Sequence, residues 1–392
     1  MEIDKGWVLQ YTFEKWPLIR AEIERVLPRT GPYAKWLNEP AWYHIGDDCI
    51  DPKDEKKKNA PKRSRPMFGL LAGECLGVPL KDALPFAAAT EITHNYLIGH
   101  DDVMDGDTSR RDLPAVWVRY GTDHEKVKGD YERTIRKGFR LGDVGVANGI
   151  NLGDYMMAKA YEVVTTSHLP VDKKLALCDT LTTTLVKTGE GQALDINLRA
   201  DPQFTVAKYH ELAMLKTGYY LVFGVVGAAI LAGFDKPAID TLWKLGANVG
   251  VAFQIIDDGL DLTSGKGRKN ARGKPEIGND IKEGKPSALF AKVLELADAA
   301  EKAKLIEIFE KPRERTKKRD VKWVAELYRK HDVLVWKKVA GKTKLTGGWA
   351  VVEADRLIRE GIALVDEIKG FGNQEQAEKF KALMTFMARR DS

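Results

Sequence analysis

Asp101-Asp102-Val103-Met104-Asp105 closes an apolar stretch of the chain. On a helix, positions four apart share a face, so Asp101 and Asp105 project together and repel each other unless a cation lies between them. The preceding run, FAAATEITHNYLIG, is no place for the ordinary alternative, a solvated acidic face. Asp257-Asp258-Gly259-Leu260-Asp261 repeats the pattern after a second apolar run, GANVGVAFQII. Carboxylates without His or Cys suit a hard divalent cation, Mg²⁺ rather than zinc. Because Mg²⁺ keeps its waters and is shared with substrate phosphates, two such clusters facing one cavity predict a phosphate-bearing ligand.

Basic residues accompany both clusters. Arg110 and Arg111 follow the first, Lys62 and Arg65 stand in KRSRP, and Lys274 and Lys285 follow the second. Taken singly each is a solvated surface cation; placed repeatedly beside acidic clusters they suit phosphate oxygens. A Walker loop is excluded, because Gly267…Gly273-Lys274 and Gly278…Gly284-Lys285 have the wrong spacing and each lysine precedes proline rather than Ser or Thr.

The elements that must hold these residues are helical. Apolar residues recur at three-and-four spacing in Trp16–Leu27, Leu84–Met104, Leu175–Thr188, Ala207–Leu215, Ile239–Leu262, Ser287–Ala297, Lys304–Phe309, Val321–Tyr328, Ala350–Lys369 and Gln374–Ala388. Pro85 suits a first helical position in the second of these. Strand alternation is nearly absent, so the pattern predicts an all-α protein, one large helical bundle. The uncharged stretch from Tyr219 to Phe234 is too short to span a bilayer and predicts a helix buried on all sides. Residues 1–392 are expected to form one domain, with insertions near 40–60, 122–144 and 340–350.

Composition agrees with a folded soluble protein. Hydrophobic residues are 44% and charged residues 30%; Lys plus Arg is 62 against 57 Asp plus Glu, a net charge of only +5. That excess does not point to a nucleic-acid or membrane-surface binder. Cys49, Cys75 and Cys178 form no disulfide framework and no zinc site, and the N-terminus carries acids, so a cytoplasmic setting is expected.

Taken together, KRSRP (62–66), HNYLIGHDDVMDGDTSRR (94–111), GEGQALD (189–195), KTG (216–218), FQIIDDGLD (253–261) and GNDIKEGK (278–285) closely resemble the trans-isoprenyl diphosphate synthases in order and in most spacings. The chain departs from their pattern at Ala60-Pro61, where Gly-Gly is usual, and at Asp112, where glycine is usual. The resemblance implies an all-α bundle around a deep central cavity, usually a homodimer, that condenses isopentenyl diphosphate with dimethylallyl, geranyl or farnesyl diphosphate. It implies Mg²⁺, about three ions per active site, held by Asp101, Asp105 and Asp257 with Asp102, Asp258 and Asp261 completing the clusters. It assigns Arg110, Lys216, Lys274 and Lys285 to the allylic diphosphate, and Lys62, Arg65, His94 and Arg111 to isopentenyl diphosphate. Thr217 and Gln254 would face the allylic cation while Phe253 keeps water out.

A terpene cyclase or head-to-head prenyl synthase on the same fold has no need of the isopentenyl diphosphate set, and a non-catalytic subunit would have lost acidic residues. In these enzymes the growing chain runs beside the first acidic helix, where Leu97 is one turn below Asp101 and Tyr96 is its neighbour. The aromatic residue resembles the floor of short-chain synthases and implies a C20 product with some C15.

Overall fold

Long apolar stretches at helical spacing, with few strand-forming runs, leave helix-on-helix packing as the way to bury a core. The computed structural model describes residues 5–46, 61, 63–111, 113–122, 141–263, 277–339, 342–368 and 374–389, and it is all-α apart from two short antiparallel hairpins. Two compact units account for the chain, one of residues 5–74 and 78–179, the other chiefly of residues 180–392.

The first unit holds α1 (Lys5–Val26), α2 (Asn38–Ile45), α3 (Ser64–Cys75), α4 (Leu80–Met104), a minimal hairpin β1 (Ser109–Arg110) and β2 (Leu113–Pro114), α5 (Val116–Thr122) and α6 (Leu141–Thr165). Helix α4 is its centre. Pro85 to Thr93 are buried without interruption, and α1, α2, α5 and α6 all pack on this helix. Pro85 is not at the first helical position as expected: α4 begins at Leu80, behind Pro79, so Pro85 lies inside the helix. Burial on all sides holds the helix together across the missing N–H.

The second unit takes up α7 (Val171–Asn197) from Thr180 onward, then α8 (Val206–Ala213), a π-helical turn (Met214–Gly218), α9 (Tyr219–Leu231), α10 (Lys236–Asp261), the single turn α11 (Asn279–Lys282), α12 (Ala288–Leu296), α13 (Ala299–Phe309), α14 (Lys318–Lys330), hairpin β3 (Val335–Val339) and β4 (Lys342–Gly347), α15 (Trp349–Glu367) and α16 (Gln374–Arg389). Several starts are capped by their own side chains: Thr205 accepts from Lys208 N, Asp235 from Ala238 N, and Ser287 from Phe290 N. The stretch Val206–Leu231 has the length and hydropathy of a membrane span, but 72% of its most apolar window is buried inside the protein, as expected of a core helix. Helix α10 packs against α9, the π-turn, α15 and α16. Gly246 and Gly250 of α10 allow that approach, because a Cβ on Gly250 would lie 2.8 Å from Gly218 N and closer still to its Cα.

Helices α2, α3, α5, α6 and the single turn α11 escaped the periodicity. Helix α6 carries Gly142, Gly145, Gly149 and Gly153, which lower intrinsic propensity, yet a Cβ at Gly149 would lie 2.8 Å from Val103 Cγ2 of α4. Close packing needs Gly145, Gly149 and Gly153 and outweighs their propensity. Helix α2 is short and mostly buried, and α3 begins within KRSRP, with Pro66 in its first turn where no N–H is required. The insertion expected near 340–350 is partly regular: Trp336 pairs with Leu345 and Lys337 with Lys344 across β3 and β4. Most of the expected insertions at 40–60 and 122–144 lies outside the described residues.

Gly250→Ala is expected to cost about 1–3 kcal/mol by forcing backbone from backbone, read as a lower denaturation midpoint. Gly189→Ala, in helix α7 with nothing within 4 Å of the new methyl, is expected to leave stability unchanged or raise it by up to about 1 kcal/mol.

Candidate active site

Helix α4 ends where its acids are. Asp105 is the C-cap; Gly106 follows with φ +67°, its N–H reaching the Val103 carbonyl, while Asp107 N reaches the Asp102 carbonyl at 2.8 Å. This closing motif needs a left-handed residue, which glycine supplies. Asp101 and Asp105 therefore sit at the partly negative C-terminal end of a helix, which adds to their mutual repulsion and raises the demand for a cation. Asp101 is half-buried and Asp105 is buried.

Asp102 is turned differently. It is fully buried, and Arg110 Nε donates to both its oxygens at 2.9 and 2.7 Å, with a second guanidinium nitrogen closing the fork. Burial pushes its pKa up to about 6, against the pull of the Arg110 hydrogen bond, so it is ionised at neutral pH. Arg110, expected on the allylic diphosphate, is engaged with Asp102.

The next residue, Arg111, has φ +56° and donates from Nη1 to the His44 carbonyl at 3.0 Å. His44 Nε2 donates to the Asn95 carbonyl (2.9 Å), and Asn95 Nδ2 donates to Glu91 Oε1 (3.0 Å). Glu91 in turn holds the buried Arg63, whose guanidinium lies on the Trp16 ring at 3.8 Å. Arg63, just before α3, has φ +48°, so each of the two basic segments carries an arginine in left-handed backbone. This relay joins α2, α3, α4 and the β1–β2 turn, and it brings Arg65 and Arg111 into electrostatic reach of His94. Burial first, then Arg65, Arg111 and Arg110, hold the His94 pKa well below its ordinary value, leaving a neutral imidazole near these cations. None of His44, Arg63, Glu91 or Asn95 was singled out from sequence. The signal was there for one: Glu91 interrupts an apolar run, and a charge there requires a buried partner.

In the second unit the π-turn presents Lys216 and Thr217. Lys216 Nζ pairs with Asp195 of GEGQALD at 2.7 Å, and a Cβ on Gly191 would collide with the Lys216 backbone. Thr217 Oγ1 donates to Gln254 Oε1 (3.1 Å), and Gln254 Nε2 donates to Asp258 Oδ1 (3.2 Å). Asp258 also accepts from Ala288 N at 2.9 Å, the first amide of α12. Asp261 is buried and accepts from Asn279 N and Asp280 N, the first amides of α11. Two of the three acids in this cluster thus hold the starts of the following helices, and Asp257 is half-buried. Phe253 is buried beside them, and Lys285 Nζ lies 3.1 Å from Glu283. Lys62 and Lys274 lie outside the described residues.

Among the described residues no three His, Cys, Asp or Glu side chains converge as a metal cage. The donors still fit Mg²⁺: they are carboxylates only, few in number, at helix C-termini, which suits an ion that keeps its waters and binds substrate phosphates. Asp102, Asp258 and Asp261, expected to complete the metal set, also accept hydrogen bonds from protein donors.

Residues 52–328 match the polyprenyl synthetase family. The geranylgeranyl diphosphate synthase of Methanosarcina mazei is 30% identical over 250 residues, which are 64% of this chain and 67% of that protein. A short chain isoprenyl diphosphate synthase of Methanothermobacter thermautotrophicus is 33% identical over 249 residues, 63% of this chain and 67% of its own. The crystal structure of geranylgeranyl pyrophosphate synthetase from Pyrococcus horikoshii superposes with a TM-score of 0.72 at 26% identity, covering 98% of both chains.

His44, buried and flanked by Arg111 and Arg110, has its pKa lowered to about 3, chiefly by desolvation. In the unfolded chain it takes up a proton as pH falls through 6.5, and in the folded protein it does not. Stability is therefore lost on acidification below 6.5, by about 1.4 kcal/mol per pH unit from this group. Denaturant titrations of wild type and His44→Gln between pH 7 and 5 should show the mutant's slope smaller by about that amount.

Proposed function

This chain belongs to the polyprenyl synthetase family, and on that footing we propose that it is a trans-prenyltransferase that condenses isopentenyl diphosphate with allylic diphosphates to a C20 prenyl diphosphate, with some C15. The observation that carries the reading is the grouping of Arg65, His94 and Arg111 in one unit with the first acidic cluster. Such a site suits a second diphosphate, held without being ionised, which a cyclase or a head-to-head synthase does not use.

The steps are those that the family resemblance implies. The allylic C–O bond breaks heterolytically, its electron pair leaving with pyrophosphate. The isopentenyl double bond then attacks the cation, and loss of a proton to the departed pyrophosphate restores a double bond. Mg²⁺, when bound, neutralises the leaving diphosphate. Asp101, Asp105 and Asp257 would hold it, while Asp102, Asp258 and Asp261 keep the helix ends in register through their protein donors. Lys216 and Lys285 reach the allylic diphosphate by exchanging a carboxylate partner for a phosphate oxygen, with Lys274 alongside. Arg110, anchored on Asp102, adds fixed positive charge. Arg65, Arg111 and Lys62 bind isopentenyl diphosphate, and neutral His94 donates to it. The hydrogen-bonded pair Thr217–Gln254 turns oxygen dipoles toward the cation, and Phe253 excludes water.

Tyr96 and Leu97 set the floor under the growing chain. The working form is a homodimer acting in the cytoplasm, and the exposed Val146 and Ile150, one turn apart on α6, suit a covered face. One catalytic domain is proposed for the whole chain.

Incubation with Mg²⁺, isopentenyl diphosphate and each allylic diphosphate should yield C20 product by chromatography; no prenyl product from folded protein refutes the proposal. Asp101→Ala and Asp257→Ala should abolish turnover with the helical signal intact. Arg111→Met should raise KM for isopentenyl diphosphate about 10- to 100-fold, with little change for the allylic substrate. Tyr96→Ala should lengthen the product.

A further inference from the structure

Tyr96 and His100 stand one turn apart on α4 with their rings edge to face, 4.9 Å between centroids and 72° between planes. His100 is not part of any role so far assigned. Its Nε2 donates to the Ile150 carbonyl of α6 at 3.1 Å and lies 3.7 Å from Asp154 Oδ1. Directly beneath the imidazole is Gly153: a Cβ there would be 2.9 Å from Cε1 and closer still to Nε2 and Cδ2. The ring thus rests on the α6 backbone where no side chain is present, tethered by one hydrogen bond. It cannot retreat further, and Tyr96 leans on its other side.

Helical spacing puts Leu97 on the face of Asp101 and turns Tyr96 toward α6, about 140° round from Asp101. An aromatic ring in that position blocks a lengthening prenyl chain only if something behind it prevents it from swinging aside. The geometry points to His100 as the positioning residue that sets product length by bracing Tyr96 against α6, with Gly153 as the seat that makes room for it. This rests on Tyr96 being the floor. The bracing is steric and edge-to-face, since the His100 ring stands between Tyr96 and the α6 backbone at Gly153. His100 is also adjacent to Asp101, so rate alone is no test; the product ratio at matched turnover is.

Product distributions are compared by chromatography for wild type, Tyr96→Ala, His100→Ala, His100→Phe, Gly153→Ala and the double variant Tyr96→Ala/His100→Ala. His100→Ala should raise the share of products longer than C20 about fivefold or more, as expected for opening a hydrophobic stop. His100→Phe keeps a ring without the hydrogen bond and should stay near wild type. Gly153→Ala pushes the imidazole toward Tyr96 and should raise the C15 share; if that variant does not fold, the His100 pair decides. In the double variant the His100 change should add nothing, because there is no ring left to brace. A lengthened product from Tyr96→Ala with an unchanged ratio in His100→Ala overturns the bracing role and leaves the floor in place. An unchanged ratio in Tyr96→Ala removes the floor itself and the bracing role with it. Loss of turnover in His100→Ala at a constant ratio also overturns the inference, since that is what a merely structural histidine would do.

Discussion

Carboxylates crowded onto the C-terminal ends of helices are the constraint to which the rest of this protein answers. Each of α4 and α10 brings three aspartates to the end that already carries partial negative charge, inside apolar surroundings where repulsion is poorly screened. Part of the repulsion is settled within the fold. Asp102 is clasped by Arg110, Asp258 by Gln254 and the first amide of α12, and Asp261 by the first amides of α11. The helix N-termini that receive Asp258 and Asp261 are themselves short of acceptors, so each carboxylate satisfies donors that would otherwise be orphaned. A divalent cation, as proposed for Asp101, Asp105 and Asp257, would offset the charge gathered at these helix ends.

The same logic with the signs reversed governs the basic side of the first unit. Arg65, at the start of α3, and Arg111, in the β1–β2 turn, are brought together by buried polar links to α4: Arg63 to Glu91, Glu91 to Asn95, Asn95 to His44, and His44 to Arg111. The two histidines in that neighbourhood stay neutral, because burial and the adjoining guanidinium groups both oppose a further positive charge. A neutral imidazole can donate one hydrogen bond to a phosphate without adding to the repulsion among the arginines. The left-handed backbone at Arg63 and Arg111 is held by these links rather than by local preference, as expected where strain serves a site.

Close backbone approach is the third element, and glycine supplies it in both units. Gly218 against Gly250 sets the π-turn on α10, so that Thr217 meets Gln254; Gly191 lets Lys216 pass beside α7, where Asp195 holds its ammonium. Gly149 and Gly153 do the same for α6 against α4. These positions lower helix propensity and are retained where the partner is main chain or a ring that cannot move aside.

Much of this was legible in the chain itself. Three-and-four spacing of apolar residues reports which segments are helices, because that period is a property of the backbone and needs no partner. Two DDxxD motifs after apolar runs predict a cation site, because crowded carboxylates there need compensating charge, and the order of motifs is that of the polyprenyl synthetase family, to which the chain belongs. Tertiary structure decided what periodicity cannot carry. Helix α6 stands despite four glycines because its neighbours require Gly145, Gly149 and Gly153, and Pro85 lies within α4 rather than at its start because burial covers the lost hydrogen bond. It also decided which aspartate of each cluster turns inward, since that depends on where Arg110 and the first amides of α11 and α12 arrive. Glu91, Arg63, Asn95 and His44 became a unit only in three dimensions: a pairing between residues far apart in sequence leaves no period to read, and its energy arises from a burial that the folded chain alone provides.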